Sequence, residues 1–425
     1  MVEVTPKEHQ ADVPLLKKLG PGLITGAADD DPSGIATYSQ AGAQYGYGML
    51  WSVLFTTPLM IGIQIVSARI GRVTGHGLAA NIREHFPRRM LVFIVSLLLA
   101  ANTINIAADL GAMGSALELL IGGKSAVYVV LFALVSLVLQ IFIPFPRYSP
   151  ILKWFTLALF AYVGTVLVVH VPLEDALRGM LFPHLSFDRE YAALLVAVLG
   201  TTISPYLFFW QASQEVEEQR ATPGDEPLIA APHQAPVNFR RIKFDTYIGM
   251  TFSNLIAFCI MLTTAVTLNV AGITDIQSSA QAAEALRPLA GDFAFLLFAM
   301  GIIGTGLLAI PVLAGSAAYA VAESFRWPIG LGLPLAEARG FYAILSIATL
   351  LGVGIVLSGV DPIKILLWAA IVNGVISVPI MVVMMQLAVK PAVMGEFVIR
   401  RKLRALGWLA TLVMAGAVIA MFVLM

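Results

Sequence analysis

The chain is a succession of apolar runs, each about as long as a bilayer is thick, separated by short polar segments. A membrane-crossing helix needs about 20 mostly apolar residues. Against that length the runs predict eleven helical spans, near 19–45, 49–69, 90–117, 125–145, 150–171, 191–214, 245–270, 288–322, 341–359, 362–388 and 403–425. The first, third, sixth and eighth are long or interrupted, with polar or small residues near their middles. The first carries Gly26-Ala27-Ala28-Asp29-Asp30-Asp31-Pro32-Ser33-Gly34 at its centre, and the sixth carries Gly200-Thr201-Thr202-Ile203-Ser204-Pro205-Tyr206. Proline and glycine stop the helical ladder, and freed carbonyls are tolerated at membrane depth only where they are buried in protein or face a cavity. Carboxylates at that depth are costly and mark ion or proton paths. The two features together predict a cation site, and so a transporter.

Pro32 and Pro205 lie five spans apart, an odd number, so the two halves have opposite orientations in the membrane. Two discontinuous helices at matching places are the mark of an inverted-repeat transporter with its ion site at the midplane. The expected architecture is an all-α membrane protein with a 5+5 inverted repeat and discontinuous helices 1 and 6. Residues 1–18 form a cytoplasmic tail, 19–388 the transporter core, and 389–425 a cytoplasmic loop plus the eleventh span. The tail is polar and has no apolar core of a cleavable signal. Residues 221–236, rich in proline and polar groups, read as a cytoplasmic loop.

Composition narrows the class further. Of 425 residues, 58% are hydrophobic and 12% charged, with a mean hydropathy of +0.85, whereas soluble domains carry roughly 25% charged residues. A net charge of zero argues against a nucleic-acid surface. The lone Cys259 has no partner for a disulfide and is expected to be a small buried hydrophobe. Most Lys and Arg fall in alternate loops, among them Arg69, Arg72, Arg83, Arg88 and Arg89, and Lys390, Arg400, Arg401, Lys402 and Arg404. By the positive-inside rule this places the N-terminus in the cytoplasm and the C-terminus outside, with the inner (plasma) membrane as the setting.

Three stretches resemble the natural-resistance-associated macrophage protein (NRAMP) family of divalent-metal transporters, which share the LeuT-type fold. They are Asp31-Pro32-Ser33-Gly34 in the first span, the loop Ala68-Arg69-Ile70-Gly71-Arg72-Val73-Thr74-Gly75-His76-Gly77-Leu78-Ala79 with Ile82-Arg83-Glu84, and Ala107-Ala108-Asp109-Leu110-Gly111 in the third span. The likeness extends over roughly ten spans. It implies a divalent cation as substrate, the lipid bilayer as partner, no cofactor, and function as a monomer. It also implies an ion site of Asp31, the carbonyls of Ala28 and Thr201, Gly34, Ser204 and Asn373, with Asp109, Tyr206 and Gln211 along the pathway.

The departures from the family pattern carry the substrate reading. Gly34 stands where the family has Asn, and Ser204-Pro205-Tyr206 where it has Met-Pro-His. Gln211 replaces a second His, and Ala112 an acidic residue. Without the soft thioether the site is all oxygen, which suits Mg²⁺, a hard ion that keeps several waters. Loss of Asn and Met is expected to enlarge the cavity for a partly hydrated ion. Loss of both histidines, the side chains that titrate near neutral pH, predicts weak or absent proton coupling. These changes resemble those of the NRAMP-related magnesium transporters, with Mn²⁺ also permeating.

Other residues receive plainer readings. Asp29 and Asp30 point to other faces than Asp31, and one of them lines an entrance or neither does. Asp109 pairs with a basic residue or lines the pathway. Glu215, Glu217 and Glu218 read as a solvated acidic face, or as a draw for exiting cations. His76 and His85 read as surface residues, and Met381, Met384 and Met385 as apolar contacts. The alternatives are a proton-coupled Mn²⁺ or Fe²⁺ importer, an organic-substrate symporter whose anionic cargo Asp31 would repel, and an intramembrane enzyme. No His-Glu-x-x-His motif or plausible nucleophile–base pair supports the last.

Overall fold

The computed structural model describes residues 21–144, 147 and 157–424. The tail predicted for residues 1–18 and the start of the fifth span, 150–156, lie outside the described residues. The described residues are helical, with no strand among them. In chain order the main helices are α1 (Pro21–Asp29), α2 (Pro32–Tyr45), α3 (Leu50–Thr74), α4 (Leu78–His85), α5 (Arg88–Ile121), α6 (Ser125–Phe142), α7 (Phe160–Val168) and α8 (Leu173–Leu181). They continue with α9 (Arg189–Thr202), α10 (Pro205–Ala221), α11 (Ala235–Thr264), α12 (Ala294–Phe325), α13 (Arg339–Leu357), α14 (Pro362–Ala388) and α15 (Arg401–Leu424).

Among the described residues nine helical stretches are long and apolar enough to cross a membrane, one of them running from Pro32 through α3 to Thr74; Leu157–Val168 is a shorter apolar helix. The first predicted span is therefore α1 plus α2, the sixth is α9 plus α10, and the remaining predicted spans each find a helix. The sixth span runs seven residues beyond its predicted end, to Ala221. The loop is shorter than predicted, because Pro236 sits in the first turn of α11, where the missing N–H costs nothing.

Proline alone does not make the breaks. Pro58, Pro311 and Pro379 stand inside continuous helices. At the two breaks the residue before proline takes an extended backbone, Asp31 at ψ 168° and Ser204 at ψ 132°, as the ring of the following proline favours. Each then precedes a new helix with proline in its first turn, and Asp31 caps its helix through the Gly34 amide.

Small residues bring the broken helices close to their neighbours. A Cβ on Gly26 would stand 2.3 Å from the Gly249 carbonyl oxygen, and one on Gly200 would stand 2.2 Å from that of Ala370. Thus α1 lies directly on α11, and α9 directly on α14, as small-residue contacts allow in membrane bundles. A cavity of about 1160 Å³ enters between α2, α9, α12, α14 and residues 274–282. Its lining runs from Gln44, Glu190, Asp275 and Lys364 to Pro32, Ala112 and Leu366.

Candidate metal centre

The two prolines decide which carbonyls are free. In a continuous helix the carbonyl of residue i accepts from the N–H of residue i+4. Residue 32 is the i+4 partner of Ala28, and residue 205 that of Thr201. Both are proline and have no N–H, so the two carbonyls expected to offer oxygen are the ones the prolines leave without a helical donor.

Hydroxyls flanking Pro205 meet both of them. The Tyr206 hydroxyl lies 3.2 Å from the Ala28 carbonyl oxygen and 3.3 Å from Asp31 Oδ2. The Ser204 hydroxyl donates to the Thr201 carbonyl at 2.8 Å and lies 3.0 Å from that of Gly200. Asp31 divides its oxygens: Oδ1 accepts from the Gly34 amide at 2.6 Å and caps α2, which leaves Oδ2 turned to Tyr206. A Cβ on Gly34 would stand 3.0 Å from Thr201 Oγ1 and 3.3 Å from Asp31 Oδ1. The structure therefore brings Asp31, Ala28, Gly34, Thr201, Ser204 and Tyr206 into one buried constellation.

That packing corrects one expectation. Neither Gly34 nor Ser204 lines the large cavity, so the expected enlargement does not appear at these two positions. Thr201 and Asp31 crowd Gly34, the Ser204 hydroxyl folds back onto its own helix, and the Tyr206 ring is fully buried. The open volume is the cavity above, which reaches Pro32 and the short side chain of Ala112. Tyr206, read from the sequence as shaping the pore, sits against the Ala28 and Asp31 oxygens themselves.

Asn373 goes elsewhere. It forms a reciprocal amide pair with Asn105 of α5, at 2.8 and 3.0 Å, and makes no hydrogen bond to the Asp31 constellation. Its neighbour one turn on, Ser377, donates to the carbonyl of Ile203 in the α9–α10 break. Asp109 is fully buried in α5 and faces the Ser33 amide. Neither carboxylate oxygen reaches hydrogen-bond geometry with a partner, and among the described residues Asp109 has no ion pair, so the salt-bridge alternative is not realised.

Sequence reasoning missed Ser253. Its hydroxyl lies 2.7 Å from Asp29 Oδ2 and 3.1 Å from Asp30 Oδ1, tying both carboxylates to α11. The signal was a Ser-Asn pair, Ser253-Asn254, in the middle of an apolar span. Asp29 and Asp30 are buried, so neither lines an open entrance.

Below the site, α1 is closed against α10. Thr25 Oγ1 donates to Gln211 Oε1 at 2.5 Å, and Gln211 Nε2 donates to Glu215 Oε1 at 3.2 Å. Glu215 pairs with Arg241 of α11, which also pairs with Glu218 at 2.8 Å. Arg72, buried at the end of α3, pairs with Asp225 at 2.6 Å. Glu217 accepts from the Tyr319 hydroxyl and from the Leu331 amide. The acidic run of α10 is thus not a solvated face: Glu215 is fully buried, and Arg241, 26 residues on, folds back to pair with it. His76 is exposed, His85 bonds its own helix, and among the described residues no group of three or more His, Cys, Asp or Glu could hold a metal. Cys259 and the methionines at 381, 384 and 385 are buried apolar contacts, as expected.

A family model described as "Natural resistance-associated macrophage protein-like" matches residues 22–424. Among curated relatives, the divalent metal cation transporter MntH of Pectobacterium carotovorum is 28% identical over 84% of this chain and 82% of its own length. The protein of the same name from Klebsiella pneumoniae is 27% identical over 92% and 90%. Among solved structures, the Eremococcus coleocola manganese transporter superposes with a TM-score of 0.74 at 17% identity, covering 99% of this chain and 88% of that one. Mhp1, a nucleobase-cation-symport-1 family transporter, superposes in a closed conformation at 0.56 with 12% identity, over 95% and 92%. These likenesses identify the fold as the LeuT-type arrangement of broken helices.

Proposed function

The chain belongs to the natural resistance-associated macrophage protein family, a family of membrane transporters rather than enzymes, and from that premise we propose that it carries Mg²⁺ as a partly hydrated ion, with Mn²⁺ also permeating, without coupled proton transport. That it is a multi-pass transporter of divalent metal cations follows from the family. The observation that carries the Mg²⁺ reading is the composition of the constellation around Asp31. The acceptors gathered there are all oxygens: the Asp31 carboxylate, the two proline-freed carbonyls, and the hydroxyls of Tyr206, Ser204 and Thr201. Sulfur and imidazole are absent from that set, and soft or borderline metals gain least from such donors. Mg²⁺ takes oxygen ligands in an octahedral shell and gives up water reluctantly. The cavity of about 1160 Å³ that ends at Ala112 has room for a hydrated ion to approach.

Uncoupled transport has an adequate driving force. Moving two positive charges inward through 100 mV releases about 4.6 kcal/mol. In this reading the N-terminus is cytoplasmic, the cavity opens outward from the inner membrane, and the Thr25–Gln211–Glu215–Arg241 contacts close the cytoplasmic side. A single chain contains the whole site and is the functional unit. Asp31→Ala tests the site: Mg²⁺ uptake falls to background in vesicles containing normal amounts of protein. Full uptake by that variant would remove Asp31 from the site and the reading with it.

A further inference from the structure

The Tyr206 hydroxyl touches oxygens of both halves of the first span at once, the Ala28 carbonyl from α1 and Asp31 Oδ2 at the start of α2. We infer that it is a specificity-determining member of the cation's oxygen shell, an inference that rests on the oxygen-only divalent-cation site proposed above.

The geometry supplies the reason. A phenol has one proton to donate and lone pairs to spare. If it donates to the Ala28 carbonyl, its lone pairs face Asp31 Oδ2 across 3.3 Å, an arrangement of two electron-rich oxygens that a cation between them would stabilise. If it donates to Asp31, the same holds toward Ala28 at 3.2 Å. Neighbouring oxygens on an octahedral shell stand √2 times the metal–oxygen bond apart, about 2.8–3.0 Å for Mg²⁺ bonds of about 2.0–2.1 Å. The Tyr206 oxygen stands about 0.2–0.5 Å wider than that spacing from each of the other two. Without the cation, the hydroxyl offers its one proton to the proline-orphaned Ala28 carbonyl or to Asp31 Oδ2, sparing that oxygen burial with no donor, a costly condition. With it, the same oxygen adds a hard donor where an imidazole would offer nitrogen.

The ring is anchored for this role. Tyr206 follows Pro205 in the first turn of α10, and it is fully buried. Gln64 and Ser67 of α3 donate to the next two carbonyls, Leu207 at 3.0 Å and Phe208 at 2.5 Å. The turn carrying the hydroxyl is thereby fixed to a long, unbroken helix.

The test is uptake by the full chain in proteoliposomes, with protein amount measured alongside. Tyr206→Phe raises the KM for Mg²⁺ about tenfold, the effect of losing one hydrogen bond or ligand to a charged group, and leaves the maximal rate within about twofold. Tyr206→His raises the Co²⁺-to-Mg²⁺ uptake ratio several-fold, because imidazole favours transition metals; this ratio is independent of how much protein folds. An unchanged or lowered KM in Tyr206→Phe, or an unchanged ratio in Tyr206→His, overturns the inference. Asp31→Ala separates the two levels: if it is inactive while both Tyr206 variants behave as the parent, Tyr206 is excluded and the site stands. If Asp31→Ala transports normally, the site itself is excluded.

Discussion

Replacing Arg241 with leucine removes the only cation that Glu215 meets among the ion pairs of the described residues, and it probes whether the closure beneath the site holds the vestibule open. Glu215 is fully buried and the Arg241 side chain is 19% exposed. Breaking a buried pair by removing one partner costs about 3–5 kcal/mol. Here Glu215 keeps the Gln211 amide at 3.2 Å and Arg241 is partly hydrated, so the cost to this conformation is about 2–3 kcal/mol. In an alternating-access cycle α1 and α10 part on this side, Glu215 becomes hydrated, and the penalty vanishes. The ratio of vestibule-open to vestibule-closed molecules then falls about 30- to 150-fold at 1.4 kcal/mol per decade. The reporter is a cysteine at Ala112, which lines the cavity, in a Cys259→Ser background that removes the buried native thiol. Starting from evenly populated states, its rate of modification by a polar maleimide drops more than tenfold in Arg241→Leu. An unchanged modification rate together with an unchanged melting temperature would refute the reasoning.

Other substitutions probe separate parts of the site. Ser253→Ala strips Asp29 and Asp30 of their shared donor and lowers stability by about 1–3 kcal/mol, read as an earlier thermal transition in detergent; no shift would mean the hydroxyl is dispensable. Ser204→Met frees the Thr201 carbonyl and installs a thioether, so the Mn²⁺-to-Mg²⁺ uptake ratio rises, and a constant ratio would count against ligand softness as the selector. Asn373→Leu leaves the Asn105 amide buried without its partner and weakens folding by about 1–3 kcal/mol. An Mg²⁺ KM that rises with no loss of stability would instead return Asn373 to the ion site.

Much of this was legible in the chain because the bilayer is an unforgiving solvent. It demands runs of fixed length, and it makes Asp31-Pro32 and Ser204-Pro205 conspicuous as breaks. The helical ladder even names the carbonyls, since residues four before each proline lose their donors. What was not legible depends on which side chains meet across distant helices. Glu215 reads as solvated until Arg241 folds back on it, and Ser253 is an ordinary serine until α11 is laid against α1. Asn373 falls near a polar pore position by likeness to the family, yet its amide is consumed by Asn105. The expected enlargement at Gly34 and Ser204 failed for a related reason. Shorter side chains suggest open space, whereas in the folded chain Thr201 and Asp31 stand against Gly34 and the Ser204 hydroxyl turns back onto its own helix.

The central claim is that an oxygen-only site on two broken helices carries Mg²⁺ without protons. The most direct test is Mg²⁺ influx into proteoliposomes at a clamped membrane potential, with an internal pH dye and Mn²⁺ as competitor. The account predicts potential-driven Mg²⁺ entry, inhibited by Mn²⁺, with no internal acidification. Mn²⁺ entry accompanied by acidification, with no Mg²⁺ flux, would contradict it.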